Sequence, residues 1–214
     1  LIISEEMAAL SLATRMLSSI TALPSDQWLN QSRRLKFDAR EHFQNRAEIH
    51  IAEKCGTATG AERAIALAVR QFGVKIVAVD YAQLLKGTGD NEQERIGDVS
   101  QRMKAMAMKF DLVVLLLAQL NRGIELRDNP EPTLADLRGS GSLEQDADVV
   151  LFPFWPWQMR KTYEDPLEYR VYQGKNRSRG IATAVLGMRI NPQRQRLDPA
   201  TTEDFGEPLP EWRG

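Results

Sequence analysis

Apolar residues recur along this chain in two rhythms, and their alternation predicts strands separated by helices. Leu1 to Ile3 is a short apolar run with no preceding turn signal, which predicts a strand already under way. Leu10, Ala13, Leu17 and Ile20 follow at three- and four-residue spacing, the stripe of a helix ending before Pro24. Ala61, Ile65, Ala68 and Phe72 mark a second amphipathic helix, with Gly73 where left-handed geometry commonly closes one. Ile96, Val99, Met103, Met106 and Phe110 mark a third. Around these helices lie three nearly continuous apolar runs, Val74 to Val79, Leu112 to Ala118 and Val149 to Phe152. Runs of that kind predict strands of a parallel sheet covered on both faces.

The remaining segments are less periodic. Ser25 to Arg46 is mostly polar with Trp28, Leu29, Leu35, Phe37 and Phe43 as anchors, which predicts short helices over one edge of a core. Glu48 to Ala52 is a candidate short strand. Beyond Pro156, Tyr169 to Tyr172 and Ile181 to Ile190 flank the basic stretch Lys175 to Gly180, the pattern of a hairpin on the sheet's edge. There is no internal repeat and no low-complexity block. The expectation is an α/β fold, a mostly parallel sheet flanked by helices with a C-terminal β-hairpin, formed by one domain over residues 1–198 with a loose tail over 199–214.

Composition narrows the class without naming a function. At 214 residues, 43% hydrophobic and 27% charged, the chain can bury one sizeable core. Its formal net charge of -1 carries no global signature of a nucleic-acid binder, so any DNA contact must come from local clusters of Arg and Lys. Cys55 has no second cysteine to pair with, and with only His42 and His50 the chain has too few of the usual ligands for a structural zinc site. No apolar run reaches membrane-spanning length and no secretory leader is visible, so a soluble, cytoplasmic protein without a membrane partner is expected.

Candidate chemistry sits at the ends of the predicted strands. Val77-Ala78-Val79-Asp80 delivers a carboxylate at the carboxyl edge of a sheet, where open α/β folds bind ligands and where one acid suffices to help hold a hydrated magnesium ion. The plainer reading is an Asp that caps the next turn, and alone it has equal weight. Ser4-Glu5-Glu6-Met7 places acids at a second strand end, suited to orienting a water or, more plainly, to favouring a helix N-terminus. Gln119 falls at a third, in reach of a phosphate or of an attacking water, or simply as a loop residue bonded to backbone.

Three stretches resemble the DnaB-type replicative DNA helicases. They are Val79-Asp80-Tyr81-Ala82-Gln83-Leu84, Gln119-Leu120-Asn121-Arg122, and the run from Asp136 through Leu137-Arg138-Gly139-Ser140-Gly141-Ser142-Leu143-Glu144-Gln145 to Asp148. Their order and spacing follow the family from Leu1 to about Asp198. The resemblance implies a RecA-like motor domain in a ring of six identical subunits, hydrolysing ATP with magnesium between neighbours. It also implies 5' to 3' movement along single-stranded DNA in a central channel, with primase and a helicase loader as possible partners. Carried onto this chain, it implies Asp80 as the Walker B acid, Glu6 as the catalytic glutamate with Glu5 as runner-up, and Gln119 as the strand-tip glutamine.

The basic stretch Gly174-Lys175-Asn176-Arg177-Ser178-Arg179-Gly180 is similar to the family turn that reaches a neighbour's nucleotide, which implies Lys175 and Arg177 as a trans-acting pair. Without the other motifs it would be a solvated hairpin tip. Arg138, Gly139, Ser140 and Gly141 resemble the channel loop, where small residues admit a DNA phosphate to backbone amides. Gly139 stands where the family usually carries an acid, which removes whatever contact that carboxylate makes. Trp155 and Trp157 lie in a divergent segment and are not expected to stack on bases.

No Gly-x-x-x-x-Gly-Lys-[Ser/Thr] occurs, and Gly56 to Gly60 is followed by Ala61 and Glu62. The family's phosphate loop precedes the Ser-x-Glu-Met segment, so the expectation is a truncated motor segment that alone lacks ATPase activity. Two other readings remain: a degenerate RecA-like scaffold or DNA-binding partner, and another RecA-like ATPase such as a recombinase or clock-type regulator.

Overall fold

The computed structural model describes residues 1–21, 24, 48–160, 165–178 and 184–200. The helices expected over Ser25 to Arg46, the start of the strand expected from Ile181 and all but the first two residues of the 199–214 tail lie outside the described residues. The chain forms two compact units, one of Leu1–Gln119 with Ser140–Asp146 and one of Leu120–Gly139 with Ala147–Gly214.

The first unit holds strands β1 (Ile2–Ser4), β2 (Ile51–Glu53), β3 (Ile76–Asp80) and β4 (Val113–Leu116), with helices α1 (Ala9–Thr21), α2 (Ala58–Phe72), α3 (Glu92–Phe110) and α4 (Gly141–Asp146). The strands are parallel in the order β2-β1-β3-β4. Local signals set the helix ends. The Thr57 hydroxyl accepts the Gly60 N–H at 2.9 Å to open α2, and Gly73 closes it at φ 63°. Asn91 caps α3 by accepting the Glu94 N–H at 2.9 Å.

Helices α2 and α3 bury Ala61, Ile65, Val99 and Met103 against Ile3, Val77 and Val79 of the sheet. Val114 and Leu116 pack on the same core. The alternate residues face the other way and are uncovered: Ile76 is 57%, Val113 57%, Leu115 52% and Leu117 46% exposed. Among the described residues this second face has no cover, which corrects the expectation of a sheet covered on both faces there. An unbroken apolar run reports that both faces suit burial, not which segments cover them.

The second unit is an antiparallel sheet, β5-β6-β7-β8, made of β5 (Val149–Phe154), β6 (Glu168–Asn176), β7 (Ala184–Asn191) and β8 (Arg196–Pro199). Helix α5 (Pro156–Met159) follows β5. The Val149 run, expected in the parallel sheet, instead pairs antiparallel with β6, Phe152 opposite Tyr172. The predicted hairpin exists as β6-β7 but lies in the middle of this second sheet, not on the edge of the first. Strand direction comes from the partner, which a strand's own hydrophobic pattern does not name. Leu137, Val150, Phe152, Phe154 and Tyr172 form its core, with the Phe154 and Tyr172 rings edge to face at 5.9 Å.

Candidate functional site

Strand β1 feeds β2 on one side and has β3 on the other, so the crossover direction reverses between β1 and β3, where open parallel sheets bind ligands beyond their carboxyl ends. Ser4 and Asp80, the last residues of those two strands, are register partners. The Glu5 N–H then donates to the Asp80 carbonyl at 2.9 Å, which brings the Ser-Glu-Glu-Met turn beside the Asp80 tip. The buried Ser4 hydroxyl shapes that turn, donating to the Met7 carbonyl at 2.7 Å and accepting the Met7 N–H at 3.1 Å.

The two acids of the turn are in different situations. The Glu5 carboxylate accepts the Cys55 N–H at 2.8 Å and the Gly56 N–H at 3.1 Å, so it braces the turn after β2. Glu6 is exposed and makes no hydrogen bond or ion pair among the described residues. Burial, reinforced by the neighbouring Glu5 charge, pushes the Cys55 thiol up, away from thiolate chemistry. Asp80 is half-buried at its strand tip.

Gln119 stands three residues past the end of β4. Its peptide is gripped by the Gln83 side chain, whose Nε2 donates to the Gln119 carbonyl at 3.1 Å while its Oε1 accepts the Gln119 N–H at 3.2 Å. A second bond, Ala82 N–H to the Leu117 carbonyl at 2.9 Å, runs alongside. Thus the structure brings Glu6, Asp80 and Gln119 to one sheet edge. Gln83 lies inside a motif that is visible in the sequence, yet its grip on the Gln119 peptide, 36 residues away, leaves no signal there.

Lys175 and Arg177 belong to the second unit, at the end of β6. Lys175 pairs across β5 with Val150. The Arg177 N–H donates to the Asp148 carbonyl at 2.8 Å, and its guanidinium lies 3.2 Å from the Asp148 carboxylate, with side chains 54% and 55% exposed. A pair so exposed is worth about 0–1 kcal/mol.

The 138–141 loop straddles the unit boundary. Arg138 and Gly139 close a 3-10 stretch, Leu134–Ser140, and Gly141 opens α4; the side chains of 138–140 lie outside the described residues. A Cβ at Gly141 would meet nothing within 4 Å, so internal packing does not require glycine there. Asp136 anchors the approach to the loop, accepting Arg127 Nη2 at 2.6 Å, the Thr133 N–H at 2.7 Å and the Thr133 hydroxyl at 3.1 Å. Burial raises the Asp136 carboxyl, but these donors outweigh it and hold it below the usual carboxylate range. On the other side of the loop, Ser100 donates to Asp146 at 2.7 Å and ties α4 to α3. Trp155 donates its indole N–H to the Pro166 carbonyl at 3.0 Å.

Known proteins resemble this chain in sequence and in fold. The replicative DNA helicase DnaB of Pasteurella multocida is 32% identical over 201 residues, 89% of this chain and 40% of that protein. A probable plasmid replicative DNA helicase of Chlamydia trachomatis is 31% identical over 191 residues, 86% of this chain and 41% of that protein. The chain thus spans about two fifths of these relatives. A solved DnaB-like replicative helicase, described with its interactions with primase, superposes with TM-score 0.82 at 25% identity over 94% of this chain and 50% of its own. A solved ATPase domain superposes with TM-score 0.83 at 26% identity, covering 94% of this chain and 74% of that domain. Residues 1–195 match the DnaB-like helicase C terminal domain, and the chain belongs to that family.

Proposed function

We propose that this chain is the part of a replicative DNA helicase motor that supplies the catalytic acids, the phosphate-sensing glutamine, the trans-acting basic turn and the DNA loop. The observation that carries this reading is the register of Ser4 with Asp80, which sets the Glu6 turn beside the Asp80 tip at the switch point of the parallel sheet.

The residues present fit a magnesium nucleotide in part. Asp80, half-buried at a strand tip, suits a cation that keeps most of its waters and needs one or two carboxylates. Bound magnesium supplies charge neutralisation on the phosphates. Glu6, exposed and with no donor on it among the described residues, can accept a hydrogen bond from a water and orient it. Gln119 presents an amide from a peptide already held by Gln83. Arg177 offers a half-exposed guanidinium at the end of β6, suited to a phosphate on a neighbouring subunit. Residues 138–141 offer a small-residue loop in which Gly141 has open space before it, suited to a DNA phosphate approaching backbone.

The chain carries no lysine-bearing phosphate loop, so by itself it does not hydrolyse ATP. Joined to one, it works as a ring of six identical subunits on single-stranded DNA, with primase and a loader as partners. The test is ATP turnover by a polypeptide that joins this chain to a phosphate-binding loop, with and without single-stranded DNA. Turnover that DNA stimulates and that both Glu6→Gln and Arg177→Ala abolish, with Arg177→Ala rescued by mixing with Glu6→Gln subunits, supports the motor. A polypeptide that binds DNA yet shows no turnover points instead to a scaffold.

A further inference from the structure

Within the second unit, a group of charged side chains sits where an antiparallel sheet would ordinarily be apolar. Tyr172 on β6 is fully buried, and its hydroxyl donates to Glu131 at 2.8 Å. Arg170, two residues earlier on the same face of the strand, donates to Glu131 at 3.2 Å, to the Tyr172 hydroxyl at 3.3 Å and to Glu168. The Arg170 side chain is only 16% exposed and its partners Glu131 and Glu168 are 25% and 13% exposed. One guanidinium is thus shared between two carboxylates and a phenol. Burial raises the Tyr172 hydroxyl strongly, and the nearby Glu131 carboxylate adds to this against the opposing Arg170, so the phenol remains a donor.

What this group joins gives it meaning. Glu131 lies between Pro130 and Pro132, both fully buried, whose rings fix the backbone on either side. From there the chain runs to Thr133 and Asp136, which are locked to Arg127, and then to Arg138 and the glycine-serine loop. Tyr172 and Arg170 lie on the strand that runs on to Lys175 and ends at the Arg177 turn. Two stiff segments, one leading to the DNA loop and one to the basic turn, therefore meet at Glu131.

We propose that Glu131, Arg170 and Tyr172 form a positioning clamp that ties the segment bearing Arg138 to strand β6, so that DNA held at residues 138–141 is felt at the Lys175–Arg177 turn. This rests on the function proposed above. The physical reason is that partly buried charges and a buried phenol left without partners are costly, so loop and strand move together or the clamp opens as a whole. Neither side of the clamp touches the reacting groups; its residues position others.

Hydrogen exchange of this chain with and without a thymidine 20-mer tests it. Binding should slow exchange in residues 134–141, and also in residues 173–176 of β6, by about fivefold or more. In Glu131→Gln and in Tyr172→Phe the protection of 134–141 should remain while that of 173–176 falls below about twofold. A merely structural staple would speed β6 exchange equally with and without DNA, leaving the DNA-induced ratio unchanged, and that result overturns the clamp. Absence of protection at 134–141 in the unmodified chain overturns the DNA-loop reading and the clamp with it. Tyr172→Phe keeps the ring in the core, so it decides the matter if Glu131→Gln does not fold.

Discussion

The side-chain amide of Gln83 lies flat against the peptide of Gln119, donating to its carbonyl at 3.1 Å and accepting its N–H at 3.2 Å. This pair ties the segment after Asp80 to the tip after β4 and leaves the Gln119 side chain to act elsewhere. Replacing Gln83 by Ala should raise the exchange rate of the Gln119 amide by about tenfold, measured by NMR. Gln83→Glu, which keeps the acceptor for that N–H, should raise it less. An unchanged rate in both would mean the pair is open in solution.

Glu5 and Glu6 are adjacent in sequence and opposite in use. Glu5→Gln turns one of its two acceptor positions into a donor facing a backbone N–H, and should cost about 1–3 kcal/mol in urea unfolding. Glu6→Gln should shift stability by less than about 0.5 kcal/mol, because Glu6 is exposed and no described residue bonds to it. Equal losses would erase the distinction between brace and free acid.

Asp136 and Asp98 give the acid limb of stability its shape. In each, burial raises the carboxyl but is outweighed by donors, Arg127 and Thr133 for Asp136, Thr88 and Arg102 for Asp98, so the folded-state value is depressed. A depressed carboxyl stabilises the fold above its unfolded value, about 3.9 for Asp, and loses that contribution as pH falls through the lower folded value. Urea midpoints should therefore fall as pH drops from about 5 towards 2. Asp136→Asn should lower the midpoint at pH 7 and flatten the acid slope; a slope parallel to the unmodified chain would assign the limb to other groups.

Two glycines should respond oppositely to alanine. A Cβ at Gly60 would lie 2.3 Å from the Cys55 carbonyl oxygen, beside the turn that Glu5 braces, so Gly60→Ala should cost about 1–3 kcal/mol. Gly141→Ala meets open space and should leave the urea midpoint nearly unchanged while weakening binding to a fluorescent thymidine oligomer. Unaltered oligomer affinity would remove Gly141 from the DNA contact.

The uncovered sheet face is also open to measurement. Val113→Lys and Leu115→Lys should each change the stability of this chain by less than about 0.5 kcal/mol and reduce its binding of a hydrophobic dye. A large loss of stability would show that the face is covered in solution.

Much of this was legible in residue order alone. Periodicity named α1, α2 and α3 because a helix buries one stripe, and Gly73 marked the end of α2 because its φ of 63° suits a residue without a side chain. The ends of apolar runs brought out the acids of the Ser4–Met7 turn, Asp80 and Gln119 together because parallel strands share a carboxyl edge, and the family resemblance then pointed to Glu6. Only tertiary structure decided that β5 leaves the parallel sheet to pair antiparallel with β6, since a strand's pattern records which faces are buried and not which neighbour bonds its edges. The family resemblance favoured Glu6 over Glu5, but only tertiary structure gave the physical reason, because the Cys55 and Gly56 amides that claim Glu5 arrive from fifty residues away. The same holds for Glu131, Arg170 and Tyr172: scattered in sequence, they become one buried group only when the loop folds onto β6.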